Sequence, residues 1–112
     1  MQKVNEYEQS FRDGDCGVKY LFRGPDTDWG VIIMKPGQSL GCHFHEETEE
    51  TFYFIHGAPI MRVNGENHRV KVGDAFRLTP PDKHDIINDT PENIKIIFIK
   101  YPYRPQDKIN CS

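Results

Sequence analysis

Three histidines and a carboxylate carry the sequence's chemical signal: His43, His45, Glu50 and His84. In His43-Phe44-His45 the histidines are two residues apart, and on a strand residues two apart share a face. Two imidazoles on one face can converge on a metal ion at about 2.0–2.1 Å per nitrogen. On a helix the same spacing would make them diverge. Glu46, Glu47, Glu49 and Glu50 follow closely. If the strand ran straight on, parity would turn Glu50 away from the histidines. A reversal near Glu46-Glu47-Thr48 resets the count, so that Glu50, Phe52 and Phe54 share the inward face of the next strand. A carboxylate leading an apolar inward face is costly unless it is paired or metal-bound. The other three glutamates are expected on a solvated rim. His84 follows Pro80-Pro81-Asp82-Lys83, where the prolines set the entry of a later strand. Three histidines and one carboxylate suit one divalent transition metal ion, Fe, Mn, Ni, Co or Zn. Four protein ligands on an ion that prefers six leave about two positions for water, oxygen or substrate.

Such a site needs short, well-registered strands. Turn signals recur at Gly24-Pro25-Asp26, Pro36-Gly37, Asn64-Gly65, Val72-Gly73-Asp74, Thr79-Pro80-Pro81-Asp82 and Asp89-Thr90-Pro91-Glu92. Between them lie β-rich runs at Val18–Phe22, Trp29–Met34, Thr51–Ile55, Ile60–Val63, Arg69–Val72, Ala75–Leu78, Asp85–Ile87 and Ile94–Tyr101. Short strands at this spacing predict an all-β sandwich or barrel. Asn64-Gly65 is the strongest hairpin signal, because both central residues of such a turn need positive φ. Asn5–Phe11 suits either a helical turn or a strand. The tail from Pro102 to Ser112 is expected to cross the surface or fray. The aromatic stripe Phe52, Phe54, Phe76 and Phe98 is expected in the core, with part of it available to line a pocket. His56 and His68 read as ordinary surface or core histidines.

These spacings resemble the cupin superfamily in its small single-domain form. The first cupin motif reads as Gly37, five residues, His43, one residue, His45, four residues, Glu50, six residues and Gly57. The second opens at Gly73-Asp74 and reaches His84 and Asn88 at the expected separations. It departs at Thr79, where the motif has proline, and at Pro81, where it has glycine. The motifs cover Gly37 to Asn88, about half the chain. The resemblance implies a double-stranded β-helix, or jelly-roll barrel, with the metal at one mouth. It carries the metal ligands over to His43, His45, Glu50 and His84, with Glu49 as the fallback carboxylate. It also implies a homodimer, because small cupins commonly pair their sheets and exchange N-terminal strands. Exposed sheet edges would need such cover.

The totals bound the rest. A chain of 112 residues fits one domain, 1–112, with a core over about 17–101. The net charge of −3, with both signs interspersed, argues against a nucleic-acid or membrane surface. No apolar run approaches the roughly 20 residues that span a bilayer. The start lacks the apolar stretch of a signal peptide, and the expected location is cytoplasmic. Without a secretion signal, the glycosylation patterns Asn88-Asp89-Thr90 and Asn110-Cys111-Ser112 carry little meaning. Cys16, Cys42 and Cys111 form an odd, scattered set, read as three free thiols. Strand parity points Cys42 away from the histidine face, against ligation. Cupins include dioxygenases, isomerases, decarboxylases, lyases and sensors. The reading adopted is a metal-dependent enzyme acting on a small polar metabolite, with no general base identified. The alternative is a non-catalytic, metal-dependent small-molecule binding or sensor protein.

Overall fold

Turn-bounded runs, most of them rich in β-branched and aromatic residues, assemble into ten strands in the computed structural model, which describes residues 1–111. They are β1 (Gly17–Arg23), β2 (Asp28–Met34), β3 (His43–Phe44), β4 (Glu49–His56), β5 (Ile60–Val63), β6 (Glu66–Arg69), β7 (Ala75–Leu78), β8 (His84–Ile87), β9 (Ile94–Tyr101) and β10 (Ile109–Asn110). Two antiparallel sheets result, ordered β1-β2-β9-β4-β7 and β10-β3-β8-β5-β6. From β2 onward the chain passes repeatedly from one sheet to the other, the winding of a double-stranded β-helix. No ladder joins the two sheets among the described residues, so the expected barrel is open at its edges.

The core lies between the sheets and follows strand parity. On β4 the inward residues Glu50, Phe52 and Phe54 are buried, while Tyr53 between them is exposed. On β9, Ile94, Ile96 and Phe98 are buried and Ile99 is exposed. Met61 and Ile86 close the core from the second sheet. Burying each of these large apolar side chains contributes about 1.5–3 kcal/mol. Three of the expected aromatics are fully inside, and Phe76 packs partly buried against them.

Three expectations change. The strand expected at Arg69–Val72 forms instead at Glu66–Arg69. Asn64 (φ 50°) and Gly65 (φ 83°) make a two-residue turn, so Val63 faces Glu66 and pairing starts at once. The tail neither frays nor merely crosses the surface: β10 adds to β3, pairing Asn110 with His43 and Ile109 with Phe44. The cysteines are not all free, because Cys42 and Cys111 form a disulfide with Cα atoms 5.2 Å apart. Pairing of β10 with β3 brings together residues 69 apart in sequence, a proximity that spacing does not reveal. Cys16 stays free and buried. Ser112, the last residue of the second glycosylation pattern and of the tail, lies outside the described residues. Of the two options at the N-terminus, a short 3-10 turn forms at Glu6–Glu8, capped by the Asn5 side chain accepting from Tyr7 N–H at 2.8 Å. Among the described residues no helix is long and apolar enough to cross a membrane.

Candidate metal centre

The site draws on both sheets at one end of the sandwich. His43 on β3 and His84 on β8 are direct cross-strand partners, which brings their imidazoles together edge to face with ring centroids 4.3 Å apart. His45 follows the end of β3, and Glu50 reaches across from β4 in the opposite sheet. One donor atom from each of the four lies within 4.8 Å of the others, and all four residues are buried. The structure thus brings together the four residues singled out by spacing. Glu49 stays half-exposed outside the cluster, and Glu46 and Glu47 are exposed. His56 and His68 also lie apart from it.

The reversal between His45 and Glu50 falls at Glu46-Glu47, as parity requires, but what holds it lies far off in sequence. The Asp107 carboxylate accepts from Glu46 N–H and Glu47 N–H at 2.8 Å and from Thr48 N–H at 3.0 Å. Burial works against charge on Asp107, yet these bonds hold its pKa below the usual aspartate value. The Asp107 carbonyl also accepts from His45 Nδ1. Sequence reasoning missed this residue. It sits 59 to 62 positions from the groups it holds, in a tail with no strand pattern.

A shared orientation governs the three rings. His43 Nδ1 donates to the Gly41 carbonyl at 2.9 Å, His84 Nδ1 to the Asp82 carbonyl at 3.0 Å, and His45 Nδ1 to Asp107. A carbonyl only accepts, so each Nδ1 must carry the proton, and each Nε2 is left with a lone pair. Those nitrogens all face Glu50 Oε1, at 3.9 Å from His43, 2.9 Å from His45 and 3.4 Å from His84. Lone pairs aimed at a carboxylate repel unless a cation lies between them. A proton on His45 Nε2 satisfies one pair in the metal-free molecule, but His84 Nε2 stays buried without a hydrogen-bond partner. Burial opposes charge on Glu50, and the three imidazoles outweigh it, holding the carboxyl well below its usual pKa. Burial likewise lowers His45, yet its bonds to Glu50 and Asp107 carry it above the usual histidine value.

The donor set therefore fits a divalent metal: three imidazoles oriented by carbonyls and one carboxylate, with a bound ion taking the place of the proton that His45 shares with Glu50. An ion bonded at about 2.0–2.2 Å spans donors no more than about 4.4 Å apart. The widest pair, within 4.8 Å, needs to close by only a few tenths of an ångström. A cavity of about 230 Å³ opens over His43 and Glu50, lined on its apolar side by Val18, Ile32, Leu40 and Phe98. Cys42 takes no part in the cluster, being bonded to Cys111.

The family described as cupin domain matches residues 30–100. The tetracenomycin polyketide synthase protein TcmJ of Streptomyces glaucescens is 30% identical over 80 residues, covering 71% of this chain and 54% of its own length. This chain spans about half to two-thirds of the length of the curated relatives it matches. Among solved structures, an uncharacterized Klebsiella pneumoniae protein with a double-stranded β-helix domain superposes with a TM-score of 0.85. It is 19% identical, and 100% of this chain and 98% of that one are covered. KdgF from a Halomonas species gives 0.78 at 22% identity, over 94% and 96% of the two chains. At such identities these two likenesses speak for the fold alone.

Proposed function

The chain belongs to the cupin family, and on that premise we propose that it is a metal-dependent enzyme acting on a small polar metabolite. The observation carrying the reading is the set of three buried imidazoles, Nδ1 tied to carbonyls and Nε2 turned on Glu50, with His84 Nε2 unpartnered. His43, His45, Glu50 and His84 would hold the ion. When bound, it supplies Lewis-acid stabilisation of developing oxyanion charge, of the kind used in oxygenase, isomerase, decarboxylase or lyase chemistry. The protein's own part is preorganisation. Gly41, Asp82 and Asp107 carbonyls fix the ring tautomers, and Phe52 packs beneath His84 with ring centroids 5.7 Å apart.

Metal analysis of the purified chain by plasma mass spectrometry tests the first half of the reading. About one equivalent per chain is expected, lost in His84→Ala with the circular dichroism of the fold retained. Less than about a tenth of an equivalent, with no uptake after metal addition, overturns it. The second half is tested by turnover of small keto and hydroxy acids, expected to vanish on chelation and in His45→Ala. Tight metal-dependent binding without turnover would replace the enzyme with a sensor. A homodimer belongs to the same proposal, supported by Tyr53, Ile99 and Tyr101, exposed on neighbouring strands β4 and β9. A monomer by light scattering at micromolar concentration would remove that part.

A further inference from the structure

The inward face of β9 runs Ile94, Ile96, Phe98 and then Lys100. Lys100 is the direct cross-strand partner of Glu50, so the two inward side chains stand side by side at the end of the core. An ammonium in this half-buried place has three protons to satisfy. One finds Tyr20 Oη at 3.3 Å, and the rings of Tyr20 and Phe98 flank the charge at 5.6 and 5.5 Å. Lys100 makes no ion pair with Glu50, whose carboxylate is taken up by the histidines.

The same cavity is lined by Lys108, from the tail, and by Arg12, from the bend before β1. None of the ion pairs among the described residues includes Lys100, Lys108 or Arg12. By contrast, Arg23 and Arg104, which also line the cavity, are held by Asp28 and Glu47. Burial, together with Arg12 and Lys100, holds the Lys108 pKa below the usual lysine value, as crowded like charges require. Lys100 is half-buried, and Arg12 and Lys108 stand exposed at the rim; the carboxylates on the same lining are engaged elsewhere, Asp28 by Arg23, Glu50 by the histidines and Asp107 by backbone N–H groups, which leaves three unpaired cations around one cavity. Their mutual repulsion is relieved by an anion.

We propose that Lys100, with Lys108 and Arg12, forms an anion-holding subsite beside the metal centre, so that the site's ligand is two-headed. One end offers an oxygen group to the histidine–glutamate cluster, and the other carries a carboxylate or phosphate held by Lys100. The first end rests on the metal reading; the second stands on the cations alone. The cavity of about 230 Å³ lies below the roughly 300–1,000 Å³ common for drug-sized ligands, which suits a short metabolite.

Calorimetric titration of the full chain, cobalt-loaded and metal-free, with glycolate, malonate and 2-phosphoglycolate tests this subsite. In the loaded protein either malonate or 2-phosphoglycolate should bind at least about tenfold more tightly than glycolate. Which of the two gains more distinguishes carboxylate from phosphate. Lys100→Met should erase the gain with bound cobalt unchanged, and Lys100→Arg should keep part of it. Lys108→Met, expected to weaken binding about threefold or more, serves if Lys100→Met fails to fold. Equal affinity for all three probes, or an unchanged gain in both methionine variants, overturns the subsite. If the chain takes up no cobalt, the metal reading fails separately. Binding of 2-phosphoglycolate to the metal-free chain, expected to remain dependent on Lys100, then decides the subsite.

Discussion

Strand β4 carries two kinds of inward residue within five positions. Phe52 and Phe54 are wholly buried among apolar neighbours, whereas Glu50 is as deeply buried among three imidazoles. Strand β9 repeats the contrast, with Ile96 and Phe98 in the core and Lys100 at the mouth. The same parity that buries phenylalanine at one end of the sandwich buries charge at the other. In the apolar half, burial itself is the gain, so substitutions there act on stability. In the polar half, burial opposes charge, and the side chains are kept where they can act on a ligand. Changes at the mouth should therefore alter what the protein binds far more than whether it folds.

The largest expected effect on stability is in the apolar half. Phe52→Ala should destabilise by about 4 kcal/mol in denaturant unfolding, through lost burial and a cavity under His84. A value under about 1 kcal/mol would show that the core does not continue beneath the site. Next comes the link between the halves. The disulfide closes a loop across 69 positions, and Cys111→Ser should cost about 3 kcal/mol. Thiol titration of the denatured, unreduced chain should find Cys16 alone; three reactive thiols would refute the pairing.

Smaller is the effect of Asp107→Ala, about 2 kcal/mol from three lost bonds to a carboxylate, with weakened metal retention because His45 loses its carbonyl's placement. The pH dependence follows in sign. Asp107 has a folded pKa below its usual 3.8, so its contribution is complete above that value and is lost as pH falls through the folded pKa. Wild type should therefore lose stability relative to Asp107→Ala only below about pH 4; a difference constant down to pH 2 contradicts the capping role. Last comes Glu50→Gln in the metal-free protein, which should destabilise by about 1 kcal/mol at neutral pH, since the amide keeps the shape but loses the ionised form that the three imidazoles favour over burial. The same change should weaken metal binding at least about a hundredfold. A large loss of stability with metal binding intact would erase the contrast between the two halves.

Much of this was legible in the residues. His43 and His45 on one face, Glu50 in phase with Phe52 after a reversal, and the Asn64-Gly65 hairpin all follow from a two-residue side-chain period and the demands of a tight turn. The strands at Ile60–Val63, Ala75–Leu78 and Ile94–Tyr101 fell where their β-rich composition put them. One error was local: the β-rich run at Arg69–Val72 placed the strand too late, whereas the two-residue turn starts pairing at Glu66. The others gathered where the deciding partner was distant. The free thiols became a disulfide because β10 found β3. A bond of this kind is favoured by oxidising surroundings, which pulls against the cytoplasmic expectation.

The sequence by itself determined an all-β chain with a face of histidines and a carboxylate in phase with them, because local periodicity sets which side chains share a side. Only the tertiary structure decided that Asp107 holds the reversal, that three carbonyls turn every Nε2 inward, and that Lys100, Lys108 and Arg12 meet over one cavity. Those contacts join residues far apart along the chain. No local pattern encodes them, because they arise only when the sheets close on each other and the tail pairs with β3.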